Sequence, residues 1–454
     1  MTKELMYHIF EKNNRFFLLD AHNQLFWQLE PNSDSFEIIE NLSKFGFFSD
    51  SNTQNIDIKK PKQRPITHFV INPSTDCNLN CWYCYSKEYR KKNSKQLDFD
   101  DIKNSIDIVL TYNYEIDPTS HLSIFFGFTQ EITLDFEMFL KLKKYIEEVN
   151  KRQEPRVYLF PPSSNLLNIT KEFVNYIDEY GFLIVSLDLE NEYQKQAVID
   201  NLRKFKQDVK KHLIVPMKAG IRDVFKIYTE FSFHFDYISL RPARVPINSK
   251  FPWNEETIVI TKQEISLLFK TLLEKDNEEI LNFLLLLGPT DYIGRYIDRI
   301  ISRTKVIERC PAGRSAFTLA PNLEIYPCSG MIGHPELYVG EIDLVSDEIN
   351  FFKNSYNTTS ENKTCLRCAI RYFCGGSCQD WLFKQTNSTQ ESINTYECQL
   401  NLHIFEEIVH FLFEIKNKQP SVLDEYIRKR NLRNSLNYPL NFDEFSRFFL
   451  QQDV

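Results

Sequence analysis

The stretch "STDCNLNCWYCYSKEYR", residues 74–90, places three cysteines at Cys77, Cys81 and Cys84. It follows residues 67–72, "THFVIN", which read as a strand, and it leads into a charged loop. Three thiolates are one short of the four that a tetrahedral metal or a four-iron cluster takes. Thiolate sulfur is a soft donor, suited to zinc and to iron–sulfur centres alike. Cys-x3-Cys-x2-Cys can wrap a short loop around one face of a cluster and leave one iron open to a small chelating ligand. The competing reading is a zinc site with a borrowed fourth ligand. No nearby His or Cys supplies one, and His68 lies inside the preceding strand.

Outward from this loop the chain alternates. Further strands are expected at residues 121–126, 156–160, 182–187, 212–216 and 236–240, with amphipathic helical patterns between them. "FDDIKNSIDIVL" puts Ile102, Ile106, Val109 and Leu110 on one face. "FEMFLKLKKYIEEV" does the same with Phe136, Phe139, Leu140 and Ile146, and "TKEFVNYIDEY" is a third such segment. Strands alternating with helices predict an α/β fold with a parallel sheet, and six units predict an open, partial barrel. Ligands of such folds gather at the carboxyl ends of the strands, where the cysteine loop falls.

Residues 1–62 read as a small α+β module. It has short strands in "YHIF" and "RFFLLD" and a capped helix in "SDSFEIIENLSKF", with Ser33 or Asp34 near the cap and Phe36, Ile39 and Leu42 on one face. "KKPKQRP", residues 59–65, reads as a linker. Residues 63–300 are expected to hold the barrel and its closing helices, and 301–410 a cysteine-rich region that opens with a hairpin over "CPAGRSAFTLAPNLEIYPCSG". Residues 411–454 are expected to be a helical tail. A stripe such as Phe125, Phe126 and Phe128 reads as core.

The balance of 42% hydrophobic and 26% charged residues belongs to a folded globular protein. A net charge of −8 argues against nucleic acid as a general partner. "MTKELMYHIF" lacks the apolar core of a secretory signal, and the apolar run "FLLLLG" is too short to span a bilayer. A cytoplasmic location without membrane contact is therefore expected. In that compartment the ten cysteines are not expected to be structural disulfides.

The remaining seven are Cys310, Cys328, Cys365, Cys368, Cys374, Cys378 and Cys398, with none between 85 and 309. Such clustering suits metal ligation better than scattered core packing. Gly375 and Gly376 allow a tight turn that carries Cys378 away from its neighbours. One zinc ribbon built on "CLRC…CGGSC" is the plainer alternative.

The first loop, followed by Tyr85, resembles the signature of radical S-adenosylmethionine (SAM) enzymes. "YPC" and "CGGSC", with seven cysteines in order, resemble the SPASM extension of peptide- and protein-modifying members of that family. The resemblance covers about residues 65–410. It implies a partial (β/α)6 barrel with a SPASM domain, a SAM-cleaving 4Fe-4S cluster on Cys77, Cys81 and Cys84, and Tyr83 beside the adenine. It assigns Cys365, Cys368, Cys374 and Cys398 to one auxiliary cluster, and Cys310, Cys328 and Cys378 to another with an open iron. Ser186 matches a serine that meets the ribose.

The chain departs from the pattern in three places. Where the family carries Gly-Gly-Glu-Pro, this chain reads Gly127, Phe128, Thr129, Gln130, so Gln130 or Glu131 becomes the substitute for the missing acid. The arginine that pairs with the SAM carboxylate falls near Val198, and a glycine five residues before Cys328 is Leu323. The resemblance implies a maturase of a ribosomally made peptide or of a protein side chain. Its precursor peptide is held by residues 1–62, unless that module only caps the barrel, and a low-potential flavodoxin or ferredoxin supplies electrons. The alternatives are a cluster-binding partner of another maturase that has lost its own chemistry, and an anaerobic sulfatase-maturing enzyme.

Overall fold

The computed structural model describes residues 7–20, 24–29, 38–39, 42, 64–92, 96–152, 156–351, 363–387 and 393–435. The fold is mixed α/β, with several sheets and no closed barrel among the described residues. The expected helix of the first module, apart from Ile38, Ile39 and Leu42, lies outside the described residues, as do residues 59–63 of the linker.

The expected strands all form within two residues of their predicted ends. They are β4 (His68–Ile71), β5 (Leu122–Phe126), β6 (Val157–Leu159), β8 (Phe182–Ser186), β9 (Lys210–Met217) and β10 (Tyr237–Pro242), and every pairing among them is parallel. β4 and β5 are buried at every position, the signature of a parallel sheet covered on both faces. The third strand breaks. Pro161 and Pro162 have no N–H to donate, so the ladder stops at β6 and restarts as β7 (Ser163–Ser164) against β8. Two open sheets result, one containing β4-β5-β6 and the other ordered β10-β9-β8-β7.

Side chains from the two sheets meet. Val70, Phe125, Phe160, Phe182, Ile184 and Tyr237, drawn from both sheets, form a single buried cluster, with Phe125 and Phe160 stacked at 4.3 Å. Phe126 is buried too, but Phe128 stands at the rim, 36% exposed.

On the outer face lie α1 (Lys87–Lys92), α2 (Phe99–Ile116), α3 (Phe136–Asn150), α4 (Lys171–Tyr180), α5 (Glu192–Leu202) and α6 (Val224–Phe231). Their starts are written in the sequence. Asp98 and Asp101 form a reciprocal capping box on α2, and Asp135, Thr170 and Asn191 cap α3, α4 and α5. Beyond β10 come α7 (Glu255–Leu273), α8 (Asn277–Leu286) and α9 (Gly294–Ser302). Between α8 and α9, Gly288 passes so close to β9 that a Cβ there would sit 2.6 Å from His212 Nε2.

The hairpin strands β11 (Ala316–Leu319) and β12 (Glu324–Tyr326) are present, but β11 also pairs in parallel with β4. β13 (Gly340–Asp343) and β14 (Glu348–Phe351), which the sequence did not announce, extend the same sheet. Short helices α10 (Lys363–Leu366), α11 (Arg371–Cys374) and α12 (Gln379–Thr386) carry cysteines at or beside their ends, and α13 (Thr395–Lys418) and α14 (Pro420–Ser435) follow.

The first module is a meander of β1 (Tyr7–Lys12), β2 (Arg15–Asp20) and β3 (Leu25–Leu29). It docks on α13 through ion pairs His8–Glu406, Lys12–Glu407 and Arg15–Glu414, with Phe17 packed on Phe413. No helix among the described residues is long and apolar enough to cross a membrane.

Candidate metal centres

Cys77, Cys81 and Cys84 sit on the loop that leaves the carboxyl end of β4. The loop is closed by backbone turns, with Cys84 N–H donating to Cys81 O at 3.2 Å and Lys87 N–H to Cys84 O at 3.2 Å. Arg90 reaches back from α1 to donate to Leu79 O at 3.1 Å. Burial pushes the Cys81 thiol up to about 11, and the charges of Asp188, Cys84 and Cys77 add to it, while a hydrogen bond from Tyr83 opposes. Burial also raises Cys77, which feels Cys84 as well. The three thiols therefore share one neighbourhood.

The other seven divide in two. Cys365 and Cys398 are both pushed up to about 12, first by burial and then by Cys374, and Cys368 is raised by burial and Cys374 likewise. Cys328 is raised to about 12 by burial, with Asp380, Cys378 and Cys310 adding to it, and Cys310 in turn feels Cys378. What separates Cys374 from Cys378 is the turn between them. Gly375 and Gly376 both take positive φ, +69° and +100°. A Cβ on Gly375 would also approach Arg309 N to 2.8 Å.

Among the described residues, no three His, Cys, Asp or Glu side chains converge closely enough to hold a single metal ion. The donor chemistry around the sulfurs suits an iron–sulfur cluster. Leu79 N–H points at Cys77 Sγ (3.4 Å), Gly330 N–H at Cys328 Sγ (3.3 Å), Asn401 Nδ2 at Cys374 Sγ (3.4 Å) and Arg244 Nη1 at Cys378 Sγ (3.6 Å). A neutral thiol is a weak acceptor, whereas cluster-bound thiolate sulfur attracts such donors.

The residues expected to touch SAM all lie at the carboxyl ends of strands, but several are already engaged. Glu131 is buried. Its Oε1 accepts from Thr133 N, Thr133 Oγ1 and Ser164 Oγ (3.2, 2.8 and 2.7 Å), and its Oε2 accepts from Asn165 N at 2.8 Å. Gln130 Oε1 accepts from both Ser74 N (3.0 Å) and Ser74 Oγ (2.8 Å). Thr129 donates through N–H to Asn72 Oδ1 and through Oγ1 to Ser74 O. Gly127 holds φ +76°, where a Cβ would meet Gln130 Cγ at 3.2 Å. Ser186 ends β8 exposed, its carbonyl taken by Gln194 Nε2 at 2.8 Å. Val198 is fully buried on α5. Leu323 adopts φ +69°, so the turn keeps a glycine-like backbone without the glycine.

Several charged residues at these strand ends were not singled out in the sequence. Lys218, after β9, pairs with Asp188 and Glu190 at 2.8 Å each and lies 5.2 Å from the Tyr83 ring centroid. The Tyr83 hydroxyl is in hydrogen-bonding reach of Asp188 and Cys81. Arg244, after β10, pairs with buried Asp380, which also holds Lys384 at 2.9 Å. Arg309 pairs with buried Glu397, whose Oε2 accepts from Cys378 N at 2.8 Å. Their placement just after strands β8, β9 and β10, or beside a cysteine, is the signal that could have found them.

No family model matches the chain. An uncharacterized protein of Methanocaldococcus jannaschii is 41% identical over 49 residues, which span 11% of this chain and 16% of that protein.

Proposed function

We propose that this protein is a maturase of the radical SAM/SPASM kind, acting on a ribosomally made peptide or a protein side chain. The observation that carries the reading is the placement of Cys77, Cys81 and Cys84 together on the loop that leaves the first parallel strand, with Cys374 and Cys378 parted by the Gly375–Gly376 turn. The six parallel strands with helices between them agree with a partial (β/α)6 barrel of that family. Cys77, Cys81 and Cys84 would hold the SAM-binding cluster, Cys365, Cys368, Cys374 and Cys398 a closed auxiliary cluster, and Cys310, Cys328 and Cys378 an open one. When bound there, such a cluster would supply the low-potential electron for reductive cleavage of SAM, and with it the means to remove a hydrogen atom from the substrate. The chain's own residues orient and shield. Arg90 fixes the loop carbonyl of Leu79, Tyr83 and Ser186 border the nucleoside side, and the aromatic interior beneath excludes water. The meander β1–β3 offers a sheet edge for a precursor peptide, and a low-potential flavodoxin or ferredoxin is the matching reductant.

A second reading has its own support. Thr129, Gln130 and Glu131 spend their polar atoms on the protein, and Val198 is buried, so the charged ends of the methionine part lack the family's partners. An unpaired charge in a closed pocket costs several kcal/mol. This favours a cluster-bearing partner of another maturase.

Anaerobic reconstitution separates the readings. The maturase should bind about twelve irons, lose about four in a Cys77→Ala/Cys81→Ala/Cys84→Ala variant, and release 5′-deoxyadenosine from SAM under reduction. Full iron without deoxyadenosine, even with the precursor peptide present, selects the partner reading. Zinc in place of iron rejects both.

A further inference from the structure

The group Cys365, Cys368, Cys374 and Cys398 is walled by arginines from α9 and from the segment before Cys310. Arg299 is 2% exposed, donates through Nη1 to Phe373 O (2.5 Å) and Cys374 O (3.4 Å), and keeps its Nε buried without a hydrogen-bond partner. Arg295 lies 3.9 Å from the Tyr292 ring centroid and donates to Asn401 Oδ1 at 3.3 Å, and its Nε too is buried and unpartnered. Asn401 passes the contact on through its Nδ2 to Cys374 Sγ. Arg309, next in sequence to Cys310, pairs with Glu397, one residue before Cys398.

Among the described residues, neither Arg295 nor Arg299 has a carboxylate partner. Arg299 thus donates to the Cys374 carbonyl, Arg295 reaches the Cys374 sulfur through Asn401, and Arg309 donates to Gly376 O two residues on, with Glu397 the one carboxylate paired with these three among the described residues. Burying unpaired cations is costly unless an anion compensates. Four thiolates around an oxidised four-iron cube carry two net negative charges, which neutralise the surplus. Each added electron makes the cube more negative, so nearby fixed cations favour the reduced state.

We propose that Arg295, Arg299 and Arg309 form a charge-compensating wall that raises the reduction potential of the cluster on Cys365, Cys368, Cys374 and Cys398. The proposal rests on the iron–sulfur reading above. Arg299 and Arg295 act as positioning residues through charge and through Asn401.

The test is a redox titration followed by electron paramagnetic resonance on the reconstituted full chain, with the six other cluster cysteines changed to alanine so that one centre remains. Arg299→Gln and Arg295→Gln should move its midpoint to a more negative potential, and Arg299→Lys should restore most of the wild-type value. Equal iron and an unchanged midpoint in both glutamine variants overturns the proposal. Should Arg299→Gln fail to fold by circular dichroism, the half-buried Arg295→Gln decides alone. Absence of iron from this centre in the arginine-intact protein is a different failure, that of the iron–sulfur reading itself, and iron analysis separates the two.

Discussion

Asn165 Nδ2 donates to Asn78 Oδ1 at 2.7 Å, tying the residue after β7 to the middle of the first cysteine loop. Asn165 is itself held by Glu131, through its backbone N–H, and by Gln194, which donates to its carbonyl at 3.2 Å. The loop's shape is thereby referred to strands on both sheets.

Asn165→Ala should cost about 0.5–1.5 kcal/mol, because Asn78 Oδ1 and Leu167 N–H lose their partner. Urea unfolding measures the cost. Iron retention at Cys77, Cys81 and Cys84 should fall with it, while the two auxiliary groups keep theirs. A uniform loss at all three centres would speak for global unfolding instead.

Glu131 and Gln130 should behave differently from ligands of SAM. Glu131→Gln turns an acceptor of four hydrogen bonds into a group that must point an amide N–H at donors. It should destabilise the fold by roughly 2–3 kcal/mol. Equilibrium dialysis with SAM, at a temperature where the variant is folded, should show little change. A tenfold loss of SAM affinity with unchanged stability would return Glu131 to the ligand site.

Leu323 offers a ranking test. Packing alone predicts that Leu323→Val is milder than Leu323→Gly, since valine retains apolar surface. The positive φ predicts the reverse. Glycine takes φ +69° freely, whereas a β-branched residue is strained there by about 1–2 kcal/mol. Thermal melts of both variants settle the order.

Acid should weaken the protein through His212 and His68. Burial pushes both imidazoles down to about 3, with Arg241 assisting at His212 and His121 at His68. The unfolded chain binds these protons near pH 6.5 and the folded chain does not until about pH 3. Their stabilisation is therefore complete above pH 6.5 and declines as pH falls toward 3, by up to about 1.4 kcal/mol per unit for each histidine. His212→Gln should flatten the fall in Tm between pH 7 and 5. An unchanged slope would assign the acid sensitivity to other groups.

Much of this architecture is legible in the residues. The strands were visible because β4 and β5 are short runs dominated by apolar β-branched and aromatic residues, and the helices because Asp98, Asp135 and Thr170 announce their starts. The split at Pro161 and Pro162 is written there too, but "RVYLF", residues 156–160, ends before the prolines and by itself reads as one complete strand. β13 and β14 are short, with polar residues at half their positions, and give too little periodicity to stand out. The residues announce the clustering of the thiols and the turn at Gly375 and Gly376, whereas their division into ligand sets is what the resemblance implies. The hydrogen bonds of Gln130 and Glu131 could not be read, because their partners Ser74, Ser164 and Asn165 lie 30 to 60 residues away and meet only once both sheets have formed.

The parallel ladder between β11 and β4 bears on how the chain can be cut. The edge of β4 that pairs with Ala316–Leu319 is a fully buried row of backbone groups in "HFVI". A fragment ending before Cys310 would present that row bare, a template for intermolecular strand pairing. The front half is thus not a detachable engine. Expressed alone it should aggregate, and any shuffling of this region between related chains has to carry the hairpin along with the first strand.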